Sequence, residues 1–183
     1  MEEMTGLNVN IKKEILEWIK IIVVSLAIAL VITHFIKPTL VHGSSMYPTL
    51  EEKDYLIINR VAYNHKEPQR GDIIVFESEL LQDNGKKKDL VKRVIGVPGD
   101  KVKITDGEVY INGKLQNEPY IHGQQTFGDV DTTIPNGYIF AMGDNRGNSM
   151  DSRDPAVGVV NKNDILGKVI VRLFPFNKIG KVY

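Results

Sequence analysis

Three polar, glycine-bearing clusters interrupt an otherwise strand-like sequence: Gly43-Ser44-Ser45-Met46-Tyr47-Pro48-Thr49-Leu50, the run from Lys92-Arg93 to Gly99-Asp100, and the run from Gly143-Asp144-Asn145-Arg146 to Ser149-Met150-Asp151-Ser152-Arg153. They supply hydroxyls, a lysine set among apolar residues, and carboxylates beside arginines, but no histidine. A serine hydroxyl is a weak nucleophile until a neighbouring base takes its proton. Arginine stays protonated in proteins, whereas a desolvated lysine loses its proton near neutrality, so of the adjacent pair only Lys92 can serve as that base. Strand parity groups Lys92 with Leu90 and Val94, and Arg93 with Val91 and Ile95. Both faces are apolar, and parity leaves open which cation is buried. Taken singly, the third cluster reads equally well as turn chemistry, while the serine cluster reads better as linker polarity and the lysine better as a packed stem with a solvated or paired ammonium.

Composition narrows the remaining chemistry. The 183 residues hold 23 Lys+Arg against 23 Asp+Glu, so no global positive field draws nucleic acid, which is not expected as a partner. The absence of cysteine removes disulfides, thiol nucleophiles and thiolate zinc sites. His34, His42, His65 and His122 form no close metal-binding spacing, so neither a metal nor another cofactor is expected. Gly123-x-x-x-x-Gly128 is followed by Asp129-Val130 and is no phosphate loop. Lys86-Lys87-Lys88 after Asp83-Asn84-Gly85 is expected to be a solvated loop.

The elements that must position these residues fall into two parts. Ile21 to Ile36, closed by Lys20 before and Lys37-Pro38 after, is apolar apart from His34, and Trp18-Ile19 extends it backward past Lys20. This predicts a transmembrane helix over 18–37, after a cytoplasmic segment 1–17, because about 20 apolar residues cross a bilayer and flanking lysines snorkel. A cleaved secretory signal shares the basic start and apolar run, but Ala27-Ile28-Ala29 lies inside the run rather than after it. Lys12, Lys13 and Lys20 precede the helix and only Lys37 closely follows it, which puts the N-terminus in the cytoplasm and 38–183 on the outer face of the cell membrane.

Residues 38–183 read as β structure. Asp54–Arg60, Asp72–Phe76, Leu90–Val97, Lys101–Thr105, Glu108–Asn112, Tyr138–Met142 and Ile165–Phe174 are short β-branched runs separated by Gly, Pro, Asn and Asp. No amphipathic helix intervenes, which predicts a mainly β domain built as an antiparallel sheet or barrel. Asp106-Gly107 is the clearest hairpin turn, and 114–137 is expected to be a partly irregular surface loop.

Together the clusters resemble the bacterial type I signal peptidases, membrane-anchored serine proteases that remove signal peptides from exported proteins. Ser45 to Leu50 looks like the nucleophile box and Arg70 to Phe76 the following strand box; Lys92 to Asp100 resembles the general-base box and Gly143 to Arg153 the last box. They occur in family order behind an N-terminal anchor. The resemblance implies a Ser/Lys dyad, with Ser45 as nucleophile and Lys92 as general base. Ser149 would orient the lysine, and Asp144 with Arg93 and Asp151 with Arg153 would be supporting ion pairs. The Ser45 amide would be one oxyanion donor. Gly43 stands where Gram-negative members have a serine that supplies the second, which leaves Ser44, a backbone amide or water for that role. Gly147 stands where many members have Asp. The compact domain is similar to the Gram-positive branch. Secretory preproteins are the implied partners, bound as an extended strand and cut after small residues at the first and third positions before the bond, with Val41, Asp89 and Val91 as lining candidates. A Lys92 desolvated beside Leu90 and Val94 would make activity rise toward alkaline pH.

Overall fold

The β-branched runs form strands, and the computed structural model describes residues 2–182. Among the described residues twelve strands follow one helix: β1 (Ile36–Leu40), β2 (Tyr55–Asn59), β3 (Ile73–Leu81), β4 (Lys87–Gly96), β5 (Lys101–Thr105), β6 (Glu108–Ile111), β7 (Lys114–Leu115), β8 (Val130–Thr133), β9 (Tyr138–Met142), β10 (Val160–Asn161), β11 (Ile165–Phe174) and β12 (Gly180–Lys181). The larger sheet has the order β1-β2-β11-β3-β4-β9-β10, with β12 beside β11, and the smaller has the order β7-β6-β5-β8. The pairs β3/β4, β4/β9, β11/β2 and β5/β6 are all antiparallel. The domain is thus mainly β, arranged as two sheets.

The continuous apolar reading of β3 follows from burial on both faces. Ile73 and Val75 join one core cluster with Val41, Met46, Leu50 and Val169, while Ile74 and Phe76 join another with Leu90, Val94 and Ile139. On β9, Phe140 and Met142 pack with Ile104, Ile111 and Ile134 in a third cluster, which ties the smaller sheet to the larger. Burial at about 25 cal/mol per Å² of apolar surface makes these three clusters the main stabilising term. β4 is central among them, hydrogen-bonded to β3 on one side and β9 on the other. The hairpin at Asp106-Gly107 forms as expected, with Thr105 opposite Glu108 and both turn residues at positive φ (54° and 81°), as a primed turn requires.

The helix, α1, spans Glu2–Phe35 without a break between the 1–17 segment and the apolar run, and it stops before Lys37. Ile36–Leu40 is strand instead of helix end, because Pro38 cannot continue a helix and this segment pairs at the edge of the larger sheet. Ile11–Phe35 has a mean hydropathy of 2.5 over its most apolar window, and 25 residues at 1.5 Å rise are long enough for a bilayer core of about 30 Å. The chain divides into a helical unit ending at Ile36 and a β unit from Lys37 onward.

Two loop expectations need correction. The 114–137 excursion contains β7, a 3₁₀ turn at Pro119–Ile121, and β8, whose Val130 pairs with Ile104. Lys87 and Lys88 are exposed but open β4, because the β3/β4 hairpin extends beyond the core.

Candidate active site

Ser45 sits in the loop after β1, where the flanking chain is pinned by burial of Met46 and Leu50 in the core. A turn forms around it, with the Tyr47 amide donating to the Ser44 carbonyl (3.0 Å) and the Leu50 amide to the Met46 carbonyl (2.8 Å). The loop before β10 grips the same segment. The Asn145 amide donates to the Ser45 carbonyl (3.0 Å), Asn145 Nδ2 to the Ser44 carbonyl (3.0 Å), and Asn148 Nδ2 to Ser44 Oγ (3.0 Å). Gly43 has φ +81°, a left-handed conformation in which a serine would be strained.

Lys92 reaches this loop from β4, where it pairs with Ile74 of β3. Its Nζ lies 2.7 Å from Ser45 Oγ, while the whole residue is only 2% exposed. Burial pushes the ammonium down to about 8, against an opposing pull from the Asp151 carboxylate; Lys88 and Arg153 add to the lowering. A base at this value exists in both protonation states near neutrality.

Arg93, one residue on, points away from Lys92 by strand parity and is equally buried. Both cations are therefore interior, which explains why parity alone could not choose between them. Arg93 makes a two-point ion pair with Asp144, Nε to Oδ1 at 2.8 Å and Nη2 to Oδ2 at 2.7 Å, and lies 4.0 Å from the centre of the Tyr120 ring. Thr49 Oγ1 donates to the same carboxylate at 2.5 Å. Arg153 forks onto Asp151 through Nε (2.9 Å) and Nη2 (2.8 Å), and the Gly143 amide donates to Asp151 Oδ2 (3.0 Å). Burial works to raise the Asp151 carboxyl, but Arg153 and these donors outweigh it and hold it below the usual carboxylate value. Both expected ion-pair geometries are present.

Ser149 differs from expectation. Its hydroxyl is buried beside Asp151 and helps keep that carboxylate ionised, yet Oγ makes no hydrogen bond of good geometry, to Lys92 or to any other described group. The loop packing fills this space tightly: a Cβ on Gly143 would collide with both Ser149 Oγ and the Ser45 carbonyl.

A cleft of about 630 Å³ opens over Ser45 and Lys92. Val41, Asp89 and Val91 line it, as does the exposed residue Ser44. Among the described residues, no group of three or more His, Cys, Asp or Glu side chains is placed to hold a metal ion.

Sequence reasoning missed a buried cluster behind the site. Arg146 donates through Nη1 and Nη2 to Glu118 (2.7 and 2.6 Å), through Nη1 to Thr126 Oγ1, and through Nε to the Gly143 carbonyl (3.1 Å). Glu118, Tyr120 and Thr126 all come from the 114–137 excursion, which is thereby fastened to the loop that holds Ser45. A glutamate 28 residues from its arginine carries no periodic signal; the only local hint was an acid beside Pro119-Tyr120 in a poorly patterned stretch.

The family model described as signal peptidase, peptidase S26, matches residues 15–174. The chain belongs to the signal peptidase family. Signal peptidase I S of Bacillus subtilis (strain 168) is 40% identical, covering 97% of this chain and 99% of that protein. Signal peptidase IB of Staphylococcus aureus (strain COL) is 38% identical over 91% and 93% of the two chains. These signal peptidases support the Gram-positive-type assignment over nearly the full length. A crystal structure of a signal peptidase I from Enterococcus faecalis V583 is 32% identical and covers 56% of this chain and 97% of that one, with a TM-score of 0.47.

Proposed function

We propose that this peptidase is a single-pass membrane enzyme that removes signal peptides from exported preproteins with a Ser45/Lys92 dyad. The observation that carries the proposal is the 2.7 Å contact between Ser45 Oγ and a buried, pKa-lowered Lys92 Nζ at the wall of an open cleft. Neutral Lys92 accepts the Ser45 proton as Oγ attacks the scissile carbonyl carbon, and the developing oxyanion is held by the Ser45 amide and a second donor. Ser44, which lines the cleft and whose Oγ accepts from Asn148, is a candidate for that donor. Lys92 then passes the proton to the leaving amine, giving an acyl-enzyme. Water, deprotonated by Lys92, attacks the ester and restores Ser45.

The other residues hold this geometry. Asp144 with Arg93 and Asp151 with Arg153 fix the loop that carries Asn145, and Asp151 also biases the charge of Lys92. The Ser149 hydroxyl, buried beside Asp151 and without a hydrogen bond of good geometry, turns to orient the lysine amine as the proton moves. Preproteins lie extended in the cleft, with small residues one and three before the bond facing Val41, Asp89 and Val91. The apolar part of α1 crosses the bilayer with the N-terminus in the cytoplasm, since three lysines precede the apolar run and one follows it closely. The catalytic domain, from 38 onward, then works on the outer face.

Purified full-length protein in detergent is expected to cleave a preprotein once, after a small-x-small sequence. Ser45→Ala and Lys92→Ala should abolish cleavage while keeping the β circular-dichroism spectrum. Retained cleavage in either folded variant overturns the dyad.

A further inference from the structure

The cleft does not end at the dyad. It continues along β4 to Lys88 and across to Leu80 on β3 and Gln82 just after it. Here the ladder is irregular: Glu77 pairs with Asp89 and Leu81 with Lys87, so Ser78, Glu79 and Leu80 stand opposite Lys88 alone. Bulges of this kind bend a strand and re-aim side chains next to active sites. The Lys88 backbone is fixed there, its carbonyl accepting a 2.7 Å hydrogen bond from the buried Ser78 hydroxyl.

Lys87 and Lys37 are neutralised and Lys88 is not. Lys87 pairs with Glu79 at 2.7 Å and Glu77 at 3.8 Å, and Lys37 pairs with Asp89 at 3.7 Å. Among the described residues, Lys88 has no ion-pair partner, and its charge is felt at Lys92. Lys88 and Lys92 share strand parity, four residues apart, or about 13 Å along β4.

We infer that Lys88 is a specificity-determining residue, favouring a carboxylate side chain at the fourth to sixth residue before the scissile bond and disfavouring lysine or arginine there. The inference rests on the proposed peptidase activity, because that reading puts the scissile carbonyl at Ser45 and the residues before it along Val91 and Asp89. An extended peptide advances about 3.3 Å per residue, so the side chain that meets Lys88 lies four to six positions upstream. An unpaired cation at a cleft wall discriminates more strongly than one on an open surface, and about a three- to tenfold preference is expected.

The test uses the full-length protein in detergent and peptides identical except for Glu, Gln or Lys at the fourth, fifth or sixth residue before the cleaved bond. The kcat/KM ratio of the Glu to the Lys peptide is read for wild type, Lys88→Glu, Lys88→Gln and, as a control outside the cleft, Lys87→Glu. Wild type should prefer Glu, Lys88→Gln should bring the ratio toward one, and Lys88→Glu should invert it. Lys87→Glu should keep the wild-type order. Equal ratios in wild type and in both Lys88 variants overturn the inference, and so does a Lys87→Glu effect as large as that of Lys88→Glu. If wild type cleaves no peptide, including the Gln series, the peptidase reading itself fails; cleavage without discrimination leaves that reading standing and removes only the role of Lys88.

Discussion

Gly143 and Ser149 compete for one space: a Cβ at 143 would run into Ser149 Oγ and into the carbonyl of Ser45. The nucleophile loop and the loop that grips it are thus packed backbone to side chain, with no slack for a methyl group. Gly143→Ala is expected to push Ser45 away from Lys92. A displacement near 1 Å at the reacting atoms costs about 100-fold in rate. Peptide kinetics should show that loss while the thermal melt stays cooperative; wild-type rates would mean the loop yields freely.

The pH profile follows from Lys92. In the proposed dyad its amine is the working form, and with a value pushed down to about 8 the neutral fraction is small well below that pH and nearly complete well above it. The rate, as kcat/KM, should climb tenfold per pH unit on the acid side and level off above about pH 8. Removing the Lys88 charge relieves one of the influences that lower Lys92, alongside Arg153 and against Asp151, so Lys88→Gln should move the midpoint toward higher pH. A midpoint that stays put or moves toward acid contradicts this electrostatic account.

Burying Lys92 also costs stability. In the unfolded chain a lysine titrates near 10.4, so between about 8 and 10.4 the unfolded state binds more protons and stability rises with pH. Below about 8 the full penalty is present, about 3 kcal/mol for a shift of this size. Lys92→Met, which keeps the length and drops the charge, should therefore raise the denaturation midpoint at pH 7 while abolishing cleavage. The gain should fade above pH 10, as urea titrations at several pH values would reveal.

Glu118 and Arg146 form a buried ion pair, 6% and 0% exposed at their side chains. Removing one partner strands the other charge, at about 3 to 5 kcal/mol. Glu118→Ala should lower the melting temperature sharply, and Glu118→Leu with Arg146→Met should recover much of it. A Glu118→Ala melt within one degree of wild type would show that Arg146 finds another partner.

The strand cores and the Asp106-Gly107 hairpin were legible in the sequence because they depend on neighbours along the chain: β-branched runs, and two residues able to hold positive φ. Ser45 and Lys92 stood out through their residue types and their resemblance to a family, and the structure brings the two side chains within 2.7 Å with Lys92 interior. Contacts that join distant segments were not legible. Glu118 to Arg146, Tyr120 under Arg93, and Val130 pairing with Ile104 each depend on how the 114–137 stretch folds back. The helix runs on upstream of the expected span through Glu14 and Glu17, since helical continuity there needs no apolar residues, and it ends at Phe35 because Ile36 is claimed by a strand.

Lys92 and Arg93 stand side by side on β4, opposite Ile74 and Ile73 of β3. If that strand paired one position out of step, a guanidinium would face Ser45, where it could never accept a proton, and an ammonium would face Asp144 without the fork that fits it. A mispaired chain would therefore be proteolytically silent rather than merely slow. Hydrolytic power then arrives only with the finished sheet.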